Sequence, residues 1–167
     1  QTIQLRLGEH RIEDFADADL VVANPAVPQP WDNEYLQAAR DHDVPVITEI
    51  ELALAHIDES RLIAITGSAG KSTTSAMVHA GLQAAGAHSI LAGNIVVSVL
   101  ESLDPFTPET ITVLELSSAM LHWIDAISPA VAMVTNCSEN HTDWHATFQH
   151  YKHCKQSILS HQSPSST

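Results

Sequence analysis

Lys71, Ser72 and Thr73 follow two glycines in the run Ile63-Ala64-Ile65-Thr66-Gly67-Ser68-Ala69-Gly70-Lys71-Ser72-Thr73-Thr74. An amine and hydroxyls placed where a hydrophobic strand turns through glycine into a helix can hold phosphate. Glycines let backbone N–H groups converge on an anion, the helix N-terminus adds positive potential, Lys71 can reach terminal phosphates and Ser72 can hold magnesium. The loop is shorter than the general phosphate-binding loop, because Ile65 stands five residues before Gly70, where the longer pattern requires glycine. The plain alternative is a glycine-rich strand-to-helix turn with an incidental lysine.

Two other places carry chemistry. Glu115 closes the hydrophobic run Val113-Leu114-Glu115-Leu116-Ser117-Ser118, where a carboxylate is costly unless it meets a cation. A magnesium ion shared with Ser72 and phosphate oxygens would satisfy it; the other reading is an N-cap carboxylate, although Ser117 and Ser118 are the better caps. The polar stretch Asn136-Cys137-Ser138-Glu139-Asn140-His141-Thr142-Asp143-Trp144-His145 follows a strand and offers several ligands. His141 stands out by its position near that strand end. The chain has eleven histidines, and His145, His150, His153 and His161 read as solvated helix or loop residues.

The elements that position these groups alternate. Leu20-Val21-Val22-Ala23 predicts a short buried strand leading into a proline-punctuated loop. A helix capped by Asp32 follows, with Tyr35, Leu36, Ala38 and Ala39 on its apolar face, then a strand at Val44-Pro45-Val46-Ile47. Glu49 to Ile57 predicts a helix, and Asp58 to Arg61 a polar bridge. Beyond the phosphate loop a helix should run to about Ala85 and stop at Gly86. Strands follow at Ser89–Ala92, Thr110–Leu116 and Val131–Asn136, with a helix over Ile95–Leu103. This alternation predicts an α/β fold with a parallel, doubly wound sheet, in which ligands sit beyond the C-terminal strand ends. Gly67, Asn94, Glu115 and Asn136 to His141 all fall there.

At 167 residues and 44% hydrophobic content the chain can bury a real core. A net charge of −13 with only seven basic residues argues against nucleic acid or an acidic membrane surface as partner. There is no apolar run of about 18 residues. Cys137 and Cys154 form no CxxC pair, so neither a disulfide framework nor a zinc cluster is expected, and a reducing cytoplasm fits. A chain starting at Gln1 and ending in Ser163-Pro164-Ser165-Ser166-Thr167 reads as a piece of a longer protein.

Taken in order, Gly67-Ser68-Ala69-Gly70-Lys71-Ser72-Thr73, Ala92-Gly93-Asn94-Ile95, Leu114-Glu115-Leu116-Ser117-Ser118 and the Asn136–His145 loop followed by Tyr151-Lys152-His153-Cys154-Lys155 resemble the Mur ligase family. Ala23-Asn24-Pro25-Ala26-Val27-Pro28 and Thr48-Glu49-Ile50-Glu51-Leu52-Ala53 are similar to the end of that family's first domain. The Leu-Glu-Leu-Ser-Ser form favours the D-glutamate-adding branch over the diaminopimelate- or lysine-adding one, with folylpolyglutamate synthase more distant.

The resemblance implies that residues 1–59 are the end of a Rossmann-like, UDP-substrate-binding domain and 60–167 the start of an ATP-binding domain. The amino-acid-binding third domain would lie outside the chain. It also implies a bacterial, cytoplasmic, monomeric enzyme of peptidoglycan synthesis that joins D-glutamate to UDP-N-acetylmuramoyl-L-alanine using ATP and two Mg2+ ions, with this piece alone inactive. Gly67 to Thr73 would bind ATP, Ser72 and Glu115 one metal, and His141 the second. Asn94 and Ser117 would face the nucleotide-sugar. Lys71, Glu115, His141 and Lys155 would be catalytic, Lys155 as a carbamate supporting the second metal; without the resemblance it reads as an ordinary exposed helical lysine. Ala69, Asn140 and Ala119-Met120 depart from the family pattern. The Asn140 and Met120 changes motivate a second reading, a nucleotide-binding module without ligase activity.

Overall fold

The computed structural model describes residues 3–95, 98–102 and 107–162. Its first unit contains α1 (Ile12–Ala16), β1 (Val21–Ala23), α2 (Glu34–Asp41), β2 (Val46–Thr48) and α3 (Glu49–Leu54). β1 and β2 pair in parallel, Val21 opposite Val46. The cap of α2 is Asn33 rather than the expected Asp32. Asn33 Oδ1 accepts from the Tyr35 and Leu36 amides, both at 3.1 Å, whereas Asp32 closes the preceding turn with its own amide on Gln29 O. α3 opens on a capping box between Thr48 and Glu51. It ends at Leu54, short of the expected Ile57, because the chain turns there through the bond Ile57 N to Leu54 O and drops Ile57 into the core.

The second unit follows a 3-10 turn at Glu59–Arg61: β3 (Leu62–Thr66), α4 (Lys71–Ala84), β4 (Ser89–Gly93), β5 (Ile111–Glu115), α5 (Ser118–Trp123), β6 (Val131–Val134), α6 (Thr142–His145) and α7 (Phe148–Ser157). The helix expected over 95–103 lies partly outside the described residues. Of the rest, Leu100–Ser102 forms a single 3-10 turn. All pairings in this sheet are parallel and the strand order is β4-β5-β3-β6. The chain leaves β3 through α4 to the edge at β4, returns to fill the gap with β5, then crosses to the other side of β3 as β6. Winding therefore reverses at β3, and the crevice at its carboxyl end is where such sheets take ligands.

Continuous apolar runs make these strands fit an interior covered on both faces. Leu62, Ala64, Leu114 and Leu116 are fully buried against Ile50 and Ala53 of α3, Leu121 of α5 and Ile158, the residue that ends α7. A smaller core joins Val21, Ala23, Leu36, Ala39 and Val44 to Trp123 of α5. Each unit thus lends a residue to the other's core. Trp144 strengthens the junction, with its indole N–H donating to Pro25 O at 3.1 Å and its carbonyl accepting from the Gln29 amide at 3.2 Å.

Gly93 marks the tightest strand approach. A Cβ built there would lie 2.2 Å from Glu115 O, and its φ of +100° disfavours any side chain. Replacing Gly93 with alanine is expected to destabilise the fold by about 2–4 kcal/mol. Gly81→Ala, in α4 with open space around it, should instead stabilise by about 0.5–1 kcal/mol. Urea unfolding of the two variants checks both signs.

Candidate functional site

The turn after β3 is held from the side by the end of β6. Gly67 passes so close to Thr135 that a Cβ would stand 1.9 Å from Thr135 Oγ1. The Ser68 amide donates to Asn136 O at 3.0 Å, the Ala69 amide donates to Asn136 Oδ1 at 3.0 Å, and Asn136 Nδ2 returns a bond to Ala69 O at 2.9 Å. Ser68 Oγ lies 2.7 Å from the Tyr151 hydroxyl. α4 then starts from Gly70, and its first-turn N–H groups, which by helix geometry have no intrahelical acceptor, crown the loop. The bonds to Asn136 and Tyr151 fix the shape of the shortened loop from its own chain.

A cleft of about 230 Å³ opens beside it. Of the residues singled out from sequence, Gly67, Lys71, Asn94, Ser117, His141 and Lys155 line this cleft. Ser68 and Ala69 are engaged by Asn136 and Tyr151 as described, Gly70 caps α4, and Ser72 and Thr73 are exposed on its first turn. Lys71 folds back, donating to Gly67 O at 3.0 Å. Ser117 caps α5, its hydroxyl accepting from the Met120 amide at 3.1 Å. His141 caps α6 in a left-handed conformation (φ 52°), with its amide on Asn140 Oδ1 at 2.9 Å and its ring centroid 6.2 Å from that of Tyr151.

Two ionisable groups are buried here: Lys155, which lines the cleft, and Glu115, which does not but bonds Asn94, which does. Lys155 is 2% exposed, not the solvated helical lysine that sequence alone suggests. Its Nζ donates to Gly67 O at 2.9 Å and lies 4.6 Å from the centre of the Tyr151 ring, but no carboxylate pairs with it among the described residues. Burial, aided by the nearby Lys71 charge, lowers its pKa to about 8. Glu115 is 1% exposed and sits behind Asn94, whose Nδ2 donates to Oε1 at 3.3 Å; Oε2 has no hydrogen-bond partner. An orphaned buried carboxylate oxygen suits a hard cation, and a buried amine without a carboxylate partner suits an anion. The Ser72 hydroxyl and the Glu115 carboxylate are oxygen donors of the kind magnesium takes.

A second cleft of about 420 Å³ shares Asn94, Ser117 and Ala119 with the first and reaches Asn24, Pro25 and Glu49 of the other unit. It was not legible in sequence, because its two walls lie far apart along the chain. Tyr151 was missed for a similar reason, since an aromatic on a helix reads as core until its hydroxyl is seen to meet Ser68.

The histidines need correction. His153 and His161 are exposed as expected, but His145 is 1% exposed, with Nε2 2.9 Å from Ser118 Oγ, and His150 is half-buried. Burial and the neighbouring His150 push the His145 pKa down to about 4. Cys154, expected to have no metal-ligand partners, lies within reach of His122 and His150. The spacing along α7 and the packing of α5 on it create this group, which no local motif announces.

Comparison with known proteins agrees with the geometry. Residues 65–167 match the Mur ligase middle domain, well over half of the chain. The chain belongs to the Mur ligase family. Among its relatives, the UDP-N-acetylmuramoylalanine--D-glutamate ligase of Geobacter metallireducens is 39% identical over 161 residues, covering 96% of this chain and 35% of the relative. The enzyme of that name from Leuconostoc citreum is 40% identical over 144 residues, 86% of this chain and 31% of the relative. The chain thus spans about a third of the length of these curated relatives. MurF from Acinetobacter baumannii (22% identity, TM-score 0.52, 70% of this chain and 29% of that one) and MurC from Thermotoga maritima (24%, 0.51, 93% and 36%) share the Mur ligase fold. The expected α/β architecture is that of the family.

Because Lys155 is a buried cation without a carboxylate, Lys155→Met is expected to stabilise the ligand-free protein by about 1–3 kcal/mol. Thermal unfolding at neutral pH measures this, and a lowered midpoint would show that the amine is already compensated.

Proposed function

We propose that this chain is the ATP-gripping part of an acid–amino-acid ligase that joins D-glutamate to UDP-N-acetylmuramoyl-L-alanine in peptidoglycan precursor synthesis. The observation that carries the reading is one cleft lined by the glycine turn and two lysine amines, one of whose wall residues, Asn94, bonds a buried carboxylate that has an unpartnered oxygen. Relatives named as D-glutamate ligases, similar over nearly the whole chain, support the substrate choice. In this reading residues 1–59 close a UDP-substrate domain and 60–167 begin the ATP domain, and the enzyme works as a cytoplasmic monomer. Among the described residues no helix is long and apolar enough to cross a membrane.

ATP would lie with its phosphates over Gly67 to Thr73, within reach of Lys71. Ser72 and Glu115 would hold one magnesium ion and His141, with Lys155, a second. When bound, the metals offset repulsion between carboxylate and polyphosphate. The nucleotide-sugar would occupy the second cleft, with Asn94 and Ser117 on the wall common to both, so that its L-alanine carboxylate meets the γ-phosphate. That carboxylate attacks the phosphorus and ADP leaves, giving an acyl phosphate. The D-glutamate amine then attacks the acyl carbon, loses a proton, and phosphate departs. Positioning two bound substrates across one wall supplies much of the acceleration.

Lys155 deepens the site. Burial lowers the Lys155 pKa to about 8, so its neutral fraction can attack carbon dioxide, losing a proton and becoming a carbamate, which turns an uncompensated cation into an anion able to support metal. Incubation with 13C-bicarbonate should yield a carbamate carbonyl resonance that Lys155→Met abolishes.

The chain itself should bind a fluorescent ATP analogue with magnesium, and Lys71→Ala should weaken binding at least about tenfold, a loss of about 1.4 kcal/mol. It should form no D-glutamate-dependent product on its own. The product of the full reading frame, supplied with ATP, magnesium and UDP-N-acetylmuramoyl-L-alanine, should incorporate D-glutamate. Incorporation of lysine or diaminopimelate instead would move the enzyme to another branch, and nucleotide binding without any ligation would favour a non-catalytic module.

A further inference from the structure

We propose that His122, His150 and Cys154 form a binding site for one zinc-class divalent cation, clipping α5 to α7 outside the phosphate-binding cleft. The proposal does not depend on the ligase reading. His150 and Cys154 are four residues apart on α7 and so share a face, and His122 comes from the last turn of α5. One ligand atom from each of the three side chains lies within 4.8 Å of the others.

The geometry is that of ligands ready to converge. His122 Nδ1 and His150 Nε2 are 3.2 Å apart. Two imidazole nitrogens on one tetrahedral zinc, each about 2.0–2.1 Å from the metal, stand roughly 3.3 Å from each other. The other nitrogen of His150, Nδ1, lies 3.1 Å from His145 O. A carbonyl can only accept, so it draws the ring hydrogen to Nδ1 and leaves Nε2 with its lone pair toward His122. Metal-bound imidazoles are oriented by this kind of bond. Without an ion, His122 must supply a hydrogen between the two nitrogens; with one, both lone pairs point at the metal. Cys154 adds sulfur, and its thiol proton passes to solvent as the Sγ–metal bond forms.

Donor chemistry selects the ion. Two imidazoles and a thiolate suit zinc or cobalt(II) and not magnesium or calcium, which take oxygen. Three protein ligands leave a fourth position for water. His145 stands alongside, Nδ1 4.0 Å from the Cys154 sulfur and 3.3 Å from His150 Nδ1, with its far nitrogen tied to Ser118. Trp31 walls the group, its ring centroid 5.4 Å from that of His122 and 4.9 Å from that of His150. Trp144 approaches His122 at 5.4 Å. A bound ion would therefore fasten the segment carrying Lys155 to the helix that Ser117 caps, stiffening one wall of the cleft.

The test is cobalt titration of the full chain, prepared without a histidine tag and stripped by chelator. One equivalent of Co2+ should produce a thiolate-to-cobalt absorption band with tetrahedral d–d bands in the visible and quench tryptophan fluorescence, and Zn2+ should displace it. Cys154→Ser should abolish the thiolate band, and His122→Gln should weaken Co2+ binding at least about tenfold, while both variants keep their far-ultraviolet circular dichroism and their ATP-analogue binding. Absence of the thiolate band in the unmodified chain would overturn the proposal. So would a cobalt spectrum unchanged by Cys154→Ser or His122→Gln, which would assign the ion to other histidines.

Discussion

The backbone at Gly67 lies against Thr135 with no room for a side chain, and the rest of the site depends on that contact. It brings the end of β3 beside the end of β6, so that the Asn136 side chain can bond both the amide and the carbonyl of Ala69 and Thr135 Oγ1 can donate to Ala69 O at 2.7 Å. The same approach leaves Gly67 O accessible to two amines, Lys71 from α4 and Lys155 from α7. A turn pinned by side chains from the end of the neighbouring strand needs fewer residues to keep its shape, which suits the short glycine loop of this chain.

Charge burial sets the second condition. Lys155 and Glu115 are both out of water, and neither is ion-paired among the described residues. Stability alone would not select this arrangement, since removing charge from water costs free energy that only a partner returns. In the proposed reading, such groups would gain their compensation when phosphate and magnesium arrive together. Burial in the large apolar core, in which Leu62, Leu114 and Ile158 are fully buried, offsets that cost.

The two units are coupled through that core. Ile50 and Ala53 of α3 pack under the four-stranded sheet, Trp123 of α5 packs against the two-stranded one, and Trp144 bonds the Pro25 and Gln29 backbone. The two clefts meet at Asn94, Ser117 and Ala119 because α5 starts at this junction. His122, in the last turn of α5, meets His150 and Cys154 of α7. α5 is only six residues long, yet its N-terminus borders both clefts and its last turn faces the histidine group.

Much of this was legible in the amino-acid sequence because the relevant patterns are local. Strand alternation, the Gly67–Thr73 spacing and the carboxylate closing a hydrophobic run each depend on neighbours a few residues away, and they sufficed for a parallel α/β sheet with polar groups at its strand ends. Local patterns failed where partners are distant. Asn33 displaced Asp32 as a cap because turn geometry decided which side chain could reach the helix amides. Lys155 and His145 looked solvated because a helix's exposed face cannot be told from a buried one until α7 is laid against α5 and β3. The sequence by itself determined which groups could do chemistry and that strand ends would present them. Only the tertiary structure decided which were buried and unpaired, and so primed for ligands, because burial and pairing depend on contacts between segments far apart along the chain.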